Sequence, residues 1–394
     1  MSAAPRSLEG RVRHLYVHLP FCVHRCGYCD FVTAVGRRDD HARYVDALAA
    51  ELAQQRDLLA DPLETVFVGG GTPTFTELPS LQRLLAFLPA AGELTVEANP
   101  ETVTPAVAQA LRDGGVTRVS VGAQSFAPRL LDVLERRASP DDVRRAVHAL
   151  RDAGLDNISL DLLYGIPGES AADLAADLTE ALALEPDHLS CYELEAKPGT
   201  RFANTWAGEL ARQSEAMEDH LDLVVETLTG AGLRWYETAN FARLETGRRG
   251  RDLRARHNLA IWRGADYLGV GIGAVSTLGD ERRRNVRSLG GYLAALAAGS
   301  PPRREVERLD AATKARERLM LGLRLDEPVA RAGLDAVIDE EALVRLVDAG
   351  LVDTSSEGVL RLTRRGRFLG GAITAELIEW EPARAPESAP LRFG

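Results

Sequence analysis

The first two-thirds of the chain alternates short, β-rich apolar runs with amphipathic helical stretches, and this alternation restricts the fold more than any other feature. Each crossover must bring the chain back to the same end of a sheet, so the pattern predicts parallel strands. The predicted strands are 14–19, 65–70, 93–98, 118–123, 157–165 and 188–194. The predicted helices are 41–59, 77–88, 104–113, 140–153, 170–184 and 214–232.

Six strand–helix units are too few for a complete eight-fold barrel. They predict an α/β fold built on an open, partial (β/α)6 barrel, followed by a small C-terminal α+β domain of winged-helix type. The C-terminal domain is predicted from helices at 311–321 and 339–350, a strand at 358–363 and a helix at 364–378, after a proline-containing linker at 300–310. The predicted boundaries are a flexible N-terminus at 1–13, the barrel at 14–250, a glycine- and aromatic-rich segment closing the barrel at 251–300, the C-terminal domain at 301–380 and a disordered tail at 381–394.

The hydrophobic content and net charge of the chain limit the kinds of partner it can bind. Of the 394 residues 45% are hydrophobic, enough for a sizeable core, and the net charge is −11. An acidic chain without a basic stripe repels nucleic-acid phosphates, so we predict no nucleic-acid partner. The sequence has neither a secretory apolar region at its start nor an apolar run of membrane-spanning length, and we predict a cytoplasmic protein.

Three of the four cysteines, Cys22, Cys26 and Cys29, fall within eight residues directly after the first predicted strand. Three thiolates can hold a [4Fe-4S] cluster and leave one iron open to another ligand. The residues alone also permit a zinc site with His18 or His24 as fourth ligand, or a metal-free loop. The carboxyl end of a barrel strand is where barrel enzymes hold their chemistry. Cys191, in an apolar run, is predicted to be a buried core residue.

Polar and glycine residues follow the other predicted strands. The segment 69–74 (GGGTPT) follows the second strand, Glu97 ends the third, and Gln124 directly follows the fourth. Asp161 lies within the fifth strand, and Arg136 follows in LERR. A glycine triplet is by itself more often a tight turn than a ligand site, and a buried aspartate can simply tie down a loop. Together these positions indicate a site at one end of the barrel.

The spacing C-x3-C-x2-C, with an aromatic residue before the third cysteine, resembles the signature of the radical S-adenosylmethionine (SAM) superfamily. The flanking YVHLPFC and CDF resemble its coproporphyrinogen-dehydrogenase-like branch, from Tyr16 to about Leu377. The resemblance implies a [4Fe-4S] cluster, SAM, an electron donor, and cleavage of SAM to methionine and a 5′-deoxyadenosyl radical. By the same resemblance Tyr16, Gly70 and Glu97 contact the SAM on the cluster, while Gly71, Thr72, Gln124, Arg136 and Asp161 border a second SAM site.

Within this branch the chain resembles the HemW family of heme chaperones. Phe31 stands where the porphyrinogen dehydrogenase has a further cysteine. The segment HNLAIW is similar to the H-N-x-x-Y-W motif, which implies that His257 contacts heme. The chain departs from the family pattern at Ile261, Ile272 and Val275, where tyrosine, proline and histidine are expected.

The function implied by this resemblance is binding of heme and its delivery to acceptor proteins. Acceptors such as respiratory heme proteins would imply peripheral contact with a membrane. No catalytic residue is assigned. Two alternatives stay open: a radical SAM methyltransferase or cyclopropanase that uses two SAM molecules, which the altered HNLAIW and GIGAVS segments fit better, and an oxygen-independent coproporphyrinogen III dehydrogenase, which Phe31 disfavours.

Overall fold

The structure is a computed structural model, and it describes residues 11–244 and 252–379. Residues 1–10, 245–251 and 380–394 lie outside the described part. The predicted C-terminal tail at 381–394 therefore lies outside it as well. The strands are β1 His14–Leu19, β2 Phe21–Cys22, β3 Ala34–Val35, β4 Leu63–Gly70, β5 Ala91–Ala98, β6 Arg118–Gln124, β7 Ile158–Tyr164, β8 His188–Glu193, β9 Leu233–Glu237, β10 Asn240–Arg243, β11 Leu268–Val270, β12 Val275–Leu278, β13 Glu281–Asn285, β14 Arg304–Arg308, β15 Val329–Ala330, β16 Val352–Asp353 and β17 Val359–Leu362.

The α-helices follow the strand–helix alternation that the sequence predicts. They are α1 His41–Gln54, α2 Leu78–Phe87, α3 Pro105–Asp113, α4 Pro128–Val133, α5 Pro140–Asp152, α6 Ala171–Ala183, α7 Arg201–Gln213, α8 Met217–Gly230, α9 Arg256–Trp262, α10 Leu289–Ala297, α11 Ala311–Gly322, α12 Glu340–Asp348, α13 Arg364–Phe368 and α14 Gly370–Leu377. Within residues 11–244 and 252–379, none of these helices has both the length and the apolar composition needed to cross a bilayer.

The central sheet has nine strands among the described residues, in the order β11-β1-β4-β5-β6-β7-β8-β10-β9. The strands from β11 to β8 are parallel to their neighbours, which confirms the prediction of a parallel α/β sheet. Strand β10 runs antiparallel to both β8 and β9 and ends the alternation. The parallel strands place their carboxyl ends on one edge of the sheet, where the predicted site residues other than Tyr16 and His257 gather.

Local sequence explains where the covering helices begin. Ser139 and Ser170 each start a helix with a capping box, in which the serine side chain accepts from the backbone of an aspartate three residues on and that aspartate bonds back. These bonds satisfy amide groups that have no partner within the helix. In the strands Leu15, Val66, Val119 and Leu160 are fully buried, because the parallel sheet is covered on both faces.

Several elements were not predicted, among them α7, β9, β10, β11 and β14. Strand β11 belongs to the central sheet although it lies far along the chain, in the glycine-rich segment. The segment 300–310, for which the sequence predicts a linker, contains β14, which pairs with β13 in a small antiparallel sheet. Arg282, Arg283 and Arg284 lie in β13, opposite Glu305 and Glu307 of β14 and their neighbours, so this basic run is paired with acidic residues.

The described residues from 310 to 379 form a second compact unit. Its described part contains helices α11 to α14 and a three-stranded sheet in the order β15-β17-β16, which agrees with the predicted α+β domain. The predicted helix at 364–378 is divided into α13 and α14 at Leu369. The core of the unit includes Leu319, Leu334, Val337, Leu360 and Leu377, all fully buried.

Candidate functional site

The three-cysteine loop is held at both ends by β-structure. Cys22 lies in β2, which pairs with β3 on the far side of the loop. Inside the loop the amide of Cys29 donates to the carbonyl of Cys26 at 3.2 Å, which forms a turn. All four cysteines of the chain are free thiols. The loop is therefore anchored, and its three thiols stay available to a ligand.

His18 connects the loop to the first strand. Its Nε2 lies 2.8 Å from the carbonyl oxygen of Val32, so this nitrogen carries the proton and donates. The Nδ1 atom then accepts from the hydroxyl of Tyr16 at 3.0 Å. Tyr16 stacks on Phe67 with ring centroids 6.1 Å apart. Tyr16 is therefore connected to the cysteine loop through the two hydrogen bonds of His18.

A cavity of about 370 Å³ opens at the carboxyl ends of the parallel strands. Cys22, Cys26 and Cys29 all line it. The cavity also gathers seven of the other predicted site residues: Gly70, Gly71, Thr72, Glu97, Gln124, Arg136 and Asp161. Tyr16 and His257 are not among its lining residues. The fold thus brings the predicted site residues together around one cavity, except for Tyr16 and His257.

The thiols differ in their surroundings. Burial raises the pKa of Cys22 to about 11, although the Thr72 hydroxyl donates to its Sγ at 3.6 Å and lowers the value. Arg136 Nη1 lies 4.0 Å from Cys26 Sγ. Within the described part of the chain, no three His, Cys, Asp or Glu side chains converge closely enough to hold a single metal ion. The thiols of a four-iron cluster bind three different irons, and this loop fits that arrangement better than a zinc site.

The glycine triplet lets the end of β4 pass close to the cysteine loop. Gly70 has φ of 113°, and a side chain there would collide with the ring of His18. A Cβ on Gly71 would lie 2.6 Å from the carbonyl carbon of Pro20. The amides of Gly71 and Thr72 donate to Leu19 and Phe21 at 2.7 and 2.8 Å. These glycines are therefore required by a close backbone approach, and they also form one wall of the cavity.

Charged groups also line the cavity. Glu97 Oε2 accepts the amide of Gly70 at 2.9 Å, and burial together with nearby Asp161 raises the pKa of Glu97 to about 7 despite this bond. Arg136 Nη2 donates to the carbonyl of Gly122 at 2.8 Å and to Asn99 Oδ1 at 3.1 Å. Asp161 accepts from the Ser120 hydroxyl at 2.9 and 3.1 Å, and burial raises the pKa of the Asp161 carboxyl.

Sequence reasoning missed several residues that line the cavity: Tyr28, Asn99, Arg118, Ser120 and Tyr192. One signal was available for two of them. Alternate residues of a strand share a face, so Arg118 and Ser120 point to the same side of β6 as Gly122, which also lines the cavity. Asn99 directly follows β5 and was recognisable by the same strand-end rule that selected Glu97.

His257 lies away from this cavity, inside the barrel. It belongs to α9, and its side chain is only 2% exposed. Its Nδ1 is 2.8 Å from Thr65 Oγ1 near the start of β4, and its ring lies 5.3 Å from that of Phe67. Burial, helped by His14, lowers the pKa of His257 to about 3, so the imidazole is neutral. The next residue, Asn258, lines the cavity.

This arrangement, a partial parallel barrel that presents three spaced cysteines at the carboxyl ends of its strands, defines the class of radical SAM proteins. The family model described as "Radical SAM superfamily" matches residues 16–181. A solved structure of coproporphyrinogen III oxidase (HemN) from Escherichia coli, described as a radical SAM enzyme, has the same fold, with a TM-score of 0.74 at 24% identity over 93% of this chain and 90% of that one.

Relatives of known name identify the family more narrowly. A protein of Mycobacterium tuberculosis strain H37Rv named heme chaperone HemW is 37% identical over 385 residues, which cover 94% of this chain and 96% of the relative. The heme chaperone HemW of Bacillus subtilis is 31% identical over 388 residues, covering 93% and 100%. The chain belongs to the HemW family of the radical SAM superfamily.

Proposed function

We propose that the protein is a heme chaperone that holds a [4Fe-4S] cluster and SAM in the cavity, binds heme and passes it to acceptor proteins. The observation that carries the proposal is the cysteine loop at the cavity, in a chain related over nearly its whole length to proteins named heme chaperone HemW. Phe31, 60% exposed beside the loop, offers no further thiol there. The proposed setting is the cytoplasm, with an electron donor for the cluster and peripheral contact with a membrane at respiratory acceptors.

In this proposal Cys22, Cys26 and Cys29 hold the cluster. When bound, the cluster supplies one electron and an open iron position for the amino acid end of SAM. Arg136 is placed beside Cys26 to offset the charge of the cluster and can also receive a carboxylate. Glu97, with one oxygen engaged by Gly70, can accept a hydroxyl group with the other.

The remaining cofactor residues are given matching roles. Gly70, Gly71 and Thr72 line the cavity beside the cysteine loop, Gln124 and Asp161 line it as well, and Tyr16 positions the loop through His18. Gln124 has φ of 67°, an unusual value for a residue other than glycine, which turns its side chain at the end of β6. Such strain is tolerated where a side chain must face a ligand.

Heme is proposed to bind through His257. Because only 2% of this side chain is exposed, iron can reach the ring only if α9 moves relative to β4 and β5. A seven-residue helix with two buried residues is a small element to displace. The substitution at Ile261 lies on the same helix, one residue before Trp262.

The cluster assignment predicts a clear pattern in cysteine variants. Cys22→Ser, Cys26→Ser and Cys29→Ser should each lower the iron and sulfide bound after anaerobic reconstitution from about four per chain to a small fraction of that value. Cys191→Ser is the matched control, because Cys191 is a buried thiol of β8 outside the cavity, and it should keep full iron content. Full iron in any of the three loop variants would contradict the assignment.

The heme assignment is tested on the reconstituted chain. Heme should give a stable Soret band in the wild type and a weakened band in His257→Ala. His220→Ala, which removes another buried histidine, on α8, should bind heme as the wild type does. Absence of heme binding, together with methyl transfer or abundant 5′-deoxyadenosine from SAM, would contradict the chaperone function and support a methyltransferase.

A further inference from the structure

A continuous hydrogen-bonded chain joins two histidines inside the barrel. Thr65 Oγ1 lies 2.9 Å from His14 Nδ1 and 2.8 Å from His257 Nδ1. All three side chains are buried: His14 is 6% exposed, Thr65 1% and His257 2%. The sequence singled out His257 only, and neither Thr65 nor His14 received a role.

A hydroxyl group has one proton, so it can donate to only one of the two neutral rings. The other ring must donate its own Nδ1–H to the threonine oxygen. The two possible arrangements differ in which ring carries its proton on Nδ1, and therefore in which Nε2 is left bare. The surroundings of the two Nε2 atoms decide between them.

The Nε2 of His14 lies 3.9 Å from Glu64 Oε2, and a carboxylate there favours a proton on that nitrogen. The Nε2 of His257 is buried and has no hydrogen-bond partner among the described residues. This nitrogen is unpartnered in either arrangement, and a bare Nε2 leaves its lone pair available to a ligand. The Glu64 carboxylate beside His14 favours the arrangement in which His14 accepts from Thr65 while Thr65 accepts from Nδ1–H of His257.

The backbone of His257 is fixed as well. Glu93 Oε1 accepts the amide of His257 at 3.2 Å, and Glu93 Oε2 accepts that of Arg256 at 3.3 Å. Glu93 is 3% exposed and lies in β5, next to the strand that carries Thr65. The ring and the main chain of His257 are thus held by two adjacent strands.

We propose that Thr65 and His14 are positioning residues that keep Nδ1 of His257 protonated and leave Nε2 with a free lone pair for heme iron. Histidines that bind metals usually donate their other N–H to an oxygen atom, which fixes the ring and its tautomer. Here Thr65 supplies that oxygen before any iron is present. The inference rests on the proposed function, since it assigns these residues a purpose in binding heme.

The tautomer can be measured without heme. Nitrogen-15 shifts of the imidazoles, recorded on the full cluster-loaded chain labelled with 15N-histidine and assigned with His257→Ala, should show the Nδ1–H form for His257 and the Nε2–H form for His14. Thr65→Val should shift the His257 signals, and Thr65→Ser should restore them. Ser159→Ala is the matched control, because it removes a 2.8 Å hydroxyl bond to another buried histidine, His188, in the same sheet.

Heme affinity gives the second readout. Thr65→Val should weaken heme binding about 10- to 100-fold, as the loss of such an outer partner typically does, while Thr65→Ser and Ser159→Ala retain it. A protonated Nε2 on His257 in the wild type, or unchanged heme affinity in Thr65→Val, would overturn the inference. A wild-type chain that binds no heme would refute the proposed function itself, whatever the tautomer.

Discussion

Glu169 closes the loop after β7 and is an example of a buried carboxyl outside the cavity. Its Oε2 accepts the amides of Gly165 at 2.6 Å and Ile166 at 3.2 Å. Its Oε1 is buried without a hydrogen-bond partner in the described part of the chain. Burial raises the pKa of Glu169 to about 7, although the two amide bonds lower it. The carboxyl is therefore protonated over much of the mildly acidic range.

This pKa predicts a stability that falls as pH rises. Between pH 4.5 and about 7 the unfolded chain releases the proton while the folded chain keeps it, so the free energy of unfolding should decrease. Relative to Glu169→Gln, the wild type should lose up to about 3 kcal/mol over this range and no more above it. Urea unfolding at a series of pH values measures the difference.

The control is Glu218→Gln, which changes a solvent-exposed glutamate on α8 and should follow the wild type at every pH. A difference between wild type and Glu169→Gln that does not change with pH would show that the carboxyl has the same pKa in the folded and unfolded states and would contradict the prediction.

At the level of single residues, the sequence predicted only part of the site. Cys22 was found from its close spacing to Cys26 and Cys29, and Glu97 was found because residues at the ends of parallel strands meet at one edge. The burial of His257 could not be predicted, because it depends on contacts with Thr65 and Glu93. These residues are distant from His257 in the sequence and come close to it only in the folded chain. A motif shows which residue types are present, whereas burial depends on how the strands are packed.

Among the elements, α1 is linked to the far part of the first unit by one buried side chain. Glu51 is fully buried and accepts hydrogen bonds from Tyr292 Oη at 2.7 Å, Asn285 Nδ2 at 2.7 Å and the amide of Gly271 at 2.8 Å. Arg304 Nη2 lies 3.2 Å from its Oε1. One carboxylate thus joins α1 to the end of β11, to α10 and to the small sheet.

Removal of Glu51 should be costly, because it leaves the partly buried Arg304 charge and several donors without their partner. We expect Glu51→Ala to lower the free energy of unfolding by about 3–5 kcal/mol, measured by urea denaturation. Glu64→Ala is the control, since it removes a half-exposed glutamate that pairs with Arg13 on the surface, and it should cost about 1 kcal/mol or less. Equal losses in the two variants would contradict the role of Glu51.

The elements also show where prediction stops. The six barrel strands were recognised because long apolar runs alternate with amphipathic helices. Strand β11 is three residues long within a glycine-rich run and gains its stability from pairing with β1, so its own sequence carries little signal. Strand β14 reads REVER and is mostly exposed, which resembles a linker until β13 is placed beside it.

On the scale of the whole molecule, the chain divides into two compact units, and every residue that lines the cavity lies in the first. The second unit has its own hydrophobic core. Leu360, in the middle strand of its sheet, is fully buried. Stability of the second unit and cluster binding by the first should therefore be separable.

Leu360→Ala should destabilise the second unit by about 2–5 kcal/mol through the cavity it creates. Protease cleavage within residues 310–379 should become faster, while the iron content after reconstitution stays at the wild-type value. The control is Val344→Ala, because Val344 is 59% exposed on α12 of the same unit and should leave cleavage almost unchanged. Loss of iron in Leu360→Ala would show that the two units depend on each other.

The position of β1 has a consequence for the order of events during synthesis. This strand and the cysteine loop after it leave the ribosome well before β11, the second neighbour of this interior strand, which is completed only at residue 270. Gly271, just beyond β11, packs against His18, the residue that anchors the loop. The thiols of the nascent loop therefore lack their final surroundings until β11 has been made. In the proposed function the cluster would be inserted after that point, and the interval before it is when these cysteines are most exposed to oxidation.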